Sequence, residues 1–386
     1  MEPLRATAAV LALLLLGVAC SGGEGPPSHT AQAVPGSPAG ESLPELDRSQ
    51  HVVSLEDVHF DTFDGGSVPL AEADPELIER LRDAIPPLDF PEYGDAEVGD
   101  WLAGDDLVLG YEGGEQPYAY PIKILNFHEI VNDRIGGVPV LVSYCPLCRS
   151  GVVYDRRVAD HVLTFGNTSA LYESDLVMYD RETNSYWWQV AGLAIVGTLA
   201  GERLTPLPSV TTTWGEWREL HPDTLVLTRD TGYGRPYDRD PFVGYADLVD
   251  AGRFPFPVSE TAADPRLDPS EVVLGVAIGD EHVVFPLGLW GDASVQATIG
   301  GRPVVVFSRA EGPSGNAFSP LVEGRPLTFS YQHGAFVDRE TGTRWNLAGE
   351  GIQGPLAGHR LEALPSRTSF WFAYVAAFPE VAVHRP

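Results

Sequence analysis

The sequence predicts an α+β fold that is predominantly β and internally duplicated: two pseudo-symmetric β-rich units with a few short helices. Three observations carry this. Short runs rich in Val, Thr, Tyr and Trp, among them VPVLVSY, GVVYDRRV, LVMYDRE and SYWWQV, are separated by Gly, Asn or Asp, the pattern of strands joined by turns. The 386 residues include 41 glycines and 33 prolines, which favour turns over long helices. A series of motifs then recurs once, in the same order. Two copies are too few for a solenoid and fit a pseudo-twofold pair.

The chain opens on an export signal, residues 1–20. Ala8–Val18 is an unbroken apolar run, shorter than the roughly 20 residues a membrane-spanning helix needs and suited to a signal peptide. It ends at Ala19-Cys20, followed by SGGEGPPS. A small residue, a cysteine and a polar linker resemble a bacterial lipoprotein signal, in which the cysteine is lipidated. The expectation is a protein exported and tethered through Cys20 to the outer face of the cell membrane. Residues 21–74, rich in Gly, Pro, Ser and Glu at their start, read as a flexible stalk and lead-in. Order is expected from PELIERLRDAI (75–85), whose Leu77, Leu81 and Ile85 have helical spacing.

The first unit, 75–229, and the second, 254–386, share their framework. LVLGY at 107–111 recurs as VVLGV at 272–276, IGGVPVLV at 135–142 as IGGRPVVV at 299–306, and DRET at 180–183 as DRET at 338–341. GTLAGERLTPLPS at 197–209 recurs as GPLAGHRLEALPS at 354–366, and Trp214 as Trp371. Residues 230–253, rich in Gly, Asp, Arg and Tyr, read as the linker between units. Two helices are expected in the first unit: 124–133, and 213–220 with a Thr cap and Trp214 and Trp217 on one face.

Acidic residues outnumber basic ones 54 to 25, a formal charge of −29. Such a surface repels phosphate backbones and anionic membranes, so a nucleic-acid partner is not expected. No Gly-rich phosphate loop or nucleophile elbow occurs, so no nucleotide cofactor is expected either.

The two copies differ where chemistry is expected. Lys123, His128, Cys145, Cys148 and Met178 in the first face Gly288, Ala293, Arg309, Gly312 and Phe336 in the second. Soft and titratable groups are therefore confined to the first unit, and the second reads as scaffold or cap. YPIKILNFHEIVND, YCPLCRSGVVYDR, SDLVMYDRET with a downstream WWQ, and TTTWGEWRELHPDTLVL closely resemble an exported bacterial and archaeal family, domain of unknown function 3179. The resemblance is strong over residues 80–228 and weak over the second unit. It implies an exported or lipid-anchored domain with a CPxC element and no established activity.

With Cys20 assigned to the anchor, Cys145 and Cys148 remain as a pair in YCPLCRSG, where Pro146 favours a tight turn between strands. Three readings stay open. A structural disulfide would close a four-residue loop worth about 2 kcal/mol. A thiol–disulfide redox centre would lack the helix N-terminus that usually lowers a thiol pKa. A metal knuckle would let both thiolates converge on one ion, with further ligands from elsewhere. For the third reading, His128 is the expected next ligand and Met178, the one methionine besides Met1, a weak fourth. Thiolate and thioether donors point to copper, with zinc as the alternative. Lys123, Glu129, Arg149 and Asp175 are expected around the site as pocket residues. HEIVN lacks the second histidine of a zinc-protease motif. An enzymatic activity, a protein partner and a substrate are not legible.

Overall fold

The computed structural model describes residues 43–386. The expected signal segment, Cys20 and the first part of the stalk lie outside the described residues. The architecture is β-rich α+β, with many short strands and six short α-helices among the described residues. None of these helices is long and apolar enough to cross a membrane.

A single sheet runs through both units. Its order is Ala382–Val383, Glu281–Pro286, Val272–Ile278, Ser366–Phe370, Ser150–Asp155, Val138–Cys145 and Ile130–Ile135, with Thr205–Leu207 also paired on Ser150–Asp155. The junction between units is Thr368 opposite Gly151. The same strand order recurs in each unit. Ser209–Thr213, Leu107–Tyr111, Tyr118–Pro121 and Leu225–Leu227 pair antiparallel, antiparallel and parallel. Ser366–Phe370, Val272–Ile278, Glu281–Pro286 and Ala382–Val383 do the same.

Shared motifs do shared work. Asp180 accepts bonds from Thr183 N–H, Thr183 Oγ1 and Trp187 Nε1, and Asp338 accepts the same set from Thr341 and Trp345. The VLG glycine explains itself in both units. A Cβ on Gly110 would lie 2.1 Å from the Trp217 ring, and one on Gly275 would lie 1.8 Å from the Tyr374 ring. Only glycine lets the aromatic side chain of each unit's last helix, Trp214–Leu220 or Trp371–Ala377, rest on the strand.

Three expectations about local structure change. The helix expected over 124–133 is Ile122–His128, and the strand Ile130–Ile135 follows it. Glu129 adopts φ 59 and its N–H bonds to Leu125 O, so the helix stops in one residue. The β-branched residues Ile130 and Val131 then enter a hairpin with Val138–Cys145. Order also begins before residue 75. Val58–Asp61 pairs with Phe165–Tyr172, and both Val58 and Phe60 are fully buried. Val58 and Phe60 alternate on one face, but a four-residue strand is too short to stand out of a polar background. The expected linker holds the helix Tyr245–Asp250, whose Tyr245 and Val249 join the core beside the cysteines. Its polar composition hides the apolar residues that dock.

Candidate functional site

The CPxC turn is a hairpin loop. Val138–Cys145 and Ser150–Asp155 are antiparallel and close at Cys145 opposite Ser150, leaving residues 146–149 to turn. Arg149, at φ 50, supplies the left-handed residue such a loop needs. In the second unit Arg309 opposite Ser314 closes the corresponding loop. The loop length is thus shared and the thiols are not.

Both cysteines are free, at 1% and 0% exposure. Cys148 donates its S–H to Asp175 Oδ1 at 2.8 Å and lies 3.4 Å from Ser150 Oγ. The other Asp175 oxygen accepts Val190 N–H at 2.8 Å. One ligand atom from each of Cys145, Cys148 and Asp175 lies within 4.8 Å of the other two. Burial pushes the Cys145 thiol up to about 11, Cys148 well above the usual thiol range, and Asp175 up to about 6.

Cys145 also borders a cavity of about 30 Å³ lined by Asp61, Phe63, Glu129, Asn167, Leu176 and Phe242 among others. Glu129 is buried and accepts Asn167 Nδ2 at 2.7 Å; burial raises its pKa to about 8. Asp61 takes Phe63 N–H on one oxygen, while its Oδ2 is buried without a partner; burial raises it to about 6. Three buried carboxyls thus share this region, and their hydrogen-bond donors are amides and a thiol. Backbone strain collects here as well. Phe63, Glu129 and Ser169 line the cavity at φ near 60, and Ser174, at φ 55, precedes Asp175. Non-glycine residues in this region cost of order 1–3 kcal/mol and cluster at functional sites.

The remaining expected residues disperse. His128 does not join the thiols: its Nδ1–H donates to Pro86 O at 2.8 Å, and its Nε2 accepts the Tyr237 hydroxyl at 2.6 Å. The reversal at Glu129 is the cause, because it sends two consecutive side chains to different places. Burial lowers the His128 pKa to about 4, which keeps the ring neutral. Lys123 is drawn off by Asp106, at 2.6 Å, beneath Trp101. Met178 is fully buried in the same apolar cluster as both cysteines. Glu129 and Asp175 are the two pocket residues that reach the site. Asp175 was legible only as a neighbour and stands where the third ligand was expected. Asp61, Asn167 and Gln189 were not foreseen; a buried carboxylate beginning the SDLVMYD strand was the signal available for Asp175, and Asp61 had none.

No curated protein and no solved structure matches the chain. The family model described as "Protein of unknown function (DUF3179)" matches residues 82–381, which include the cysteine hairpin, Asp175 and nearly all of the second unit, and the chain therefore belongs to that family.

Proposed function

We propose that the protein binds a soft or borderline metal ion through Cys145, Cys148 and Asp175. The observation that carries this is the convergence of three buried donors within 4.8 Å of one another. Burial favours an ion over a bulky partner: with both thiols at 1% exposure or less, a bare ion reaches them where another protein's disulfide does not. A cation also answers the charge problem of several carboxyls buried together. Bound metal displaces the thiol protons. Two thiolates and a carboxylate oxygen are all donors that zinc accepts. The hard carboxylate in place of the expected His128 moves our preference from copper to zinc, because Cu(I) favours soft donors.

A second reading is a thiol–disulfide couple. Its support is the inequivalence of the sulfurs: Cys145 borders the cavity, while Cys148 faces the proton acceptor Asp175. One experiment separates the two. The purified full-length protein is loaded with zinc or copper under reducing conditions and dialysed, and metal and free thiols are counted. About one tightly held ion per chain, with the thiols shielded from alkylation until a chelator is added, is the expected result. No retained metal together with a reversible loss of two thiols on mild oxidation would replace the metal reading by the redox one.

We also propose that the chain is tethered through a lipid on Cys20 to the outer face of the membrane. Cys20→Ala should move the protein from the membrane to the soluble fraction. A wild-type protein without added lipid mass would refute the tether.

A further inference from the structure

Comparison of the two units in the reverse direction isolates one residue. Counting on from the paired LPS segments, Val210 in the first unit corresponds to Arg367 in the second. The thiol-free copy here carries a charged group that the other lacks. Arg367 is 8% exposed and lies in Ser366–Phe370, the strand that joins the second unit to the cysteine-bearing sheet. Its guanidinium donates to Val190 O in the first unit and lies over the Tyr154 ring.

The 189–190 segment is where the site's polar contacts meet. Val190 N–H holds Asp175 Oδ2. Gln189 accepts the Ser150 hydroxyl and donates to Ser143 Oγ at 2.9 Å. Tyr154 donates its hydroxyl to Gln189 O at 2.8 Å. Phe370 N–H, on the same strand as Arg367, donates to Cys148 O at 2.7 Å. The second unit therefore grips both the loop of Cys148 and the segment that orients its carboxylate.

We infer that Arg367 is a positioning residue for the thiol–carboxylate site, acting from the second unit through Val190 on Asp175. This rests on the metal reading for its consequence but not for its test. The guanidinium anchors Val190 O, on the peptide that follows Val190, and packs on Tyr154, whose hydroxyl holds Gln189 O on the preceding peptide. Val190 is thus fixed on both sides, its N–H holds one Asp175 oxygen, and the other is aimed at Cys148. Groups that orient a ligand typically contribute 10–100-fold in metal affinity.

The test uses the full-length chain with Arg367→Met, Arg367→Lys and Asp175→Asn. Two readouts are taken: zinc affinity by chelator competition, and the infrared S–H stretch of the metal-free protein. With Arg367→Met, affinity should fall about 10–100-fold, and the Cys148 S–H band should shift toward its position in Asp175→Asn. Arg367→Lys, which keeps a cationic donor, should recover part of both and serves if the Met variant does not fold. Unchanged affinity and an unchanged S–H band in a folded variant overturn the inference. If the wild type holds no zinc, the metal reading fails, and the S–H band alone decides whether Arg367 positions Asp175.

Discussion

Asp175→Asn should abolish tight metal binding while the protein stays folded. Asparagine keeps the shape and one acceptor oxygen for Val190 N–H, so the loop around the site retains a partner. It replaces an anionic ligand by a neutral amide, which leaves two thiols and no third donor. In the metal-free protein the exchange removes a carboxylate whose burial disfavours its charge, so stability at neutral pH should hold or rise. The loss appears when metal is present. An ion held at a thousand times its dissociation constant stabilises the folded state by about 4 kcal/mol. Wild type should therefore gain several degrees of melting temperature on adding zinc, and the variant should gain none. A variant that retains stoichiometric zinc with the wild-type shift would show that Asp175 is not a ligand.

Glu129 should make the metal-free protein less stable as pH rises. Its carboxyl titrates at about 8 in the folded state because of burial, against 4.5 for the ordinary group. Between those values the folded chain holds a proton that the unfolded chain has released. Stability is then highest below pH 4.5 as far as this group is concerned, declines through the window, and levels off above about 8. Each unit of difference is worth about 1.4 kcal/mol, so the total is on the order of a few kcal/mol. Asp61 and Asp175, both raised to about 6 by burial, add to the decline at the lower end. Glu129→Gln keeps an acceptor for Asn167 and cannot ionise. Urea unfolding of the metal-free protein from pH 5 to 8 should show a clear fall for wild type and a flatter profile for the variant. Parallel profiles would mean that Glu129 is ionised in the folded state throughout.

The β-rich fold and the CPxC hairpin were readable from the chain alone, and the reasons are local. Strand runs, turn residues and the CPxC hairpin are short-range patterns. Subtracting one unit from the other located the cysteines against a framework that does not need them. The ligand set was not readable in this way. His128 and Glu129 are adjacent in sequence, yet a single left-handed residue sends one to Tyr237 and the other to the cavity beside Cys145. Asp175 reaches Cys148 across 27 positions and Arg367 reaches Val190 across 177. Asp61 comes from a segment that composition alone assigns to the lead-in. Periodicity and turn chemistry thus determined which strands form and which half bears the thiols. Only tertiary packing decided which carboxylate faces them, because pairing between strands distant in sequence, and the burial that follows, set the distances at which ligands converge.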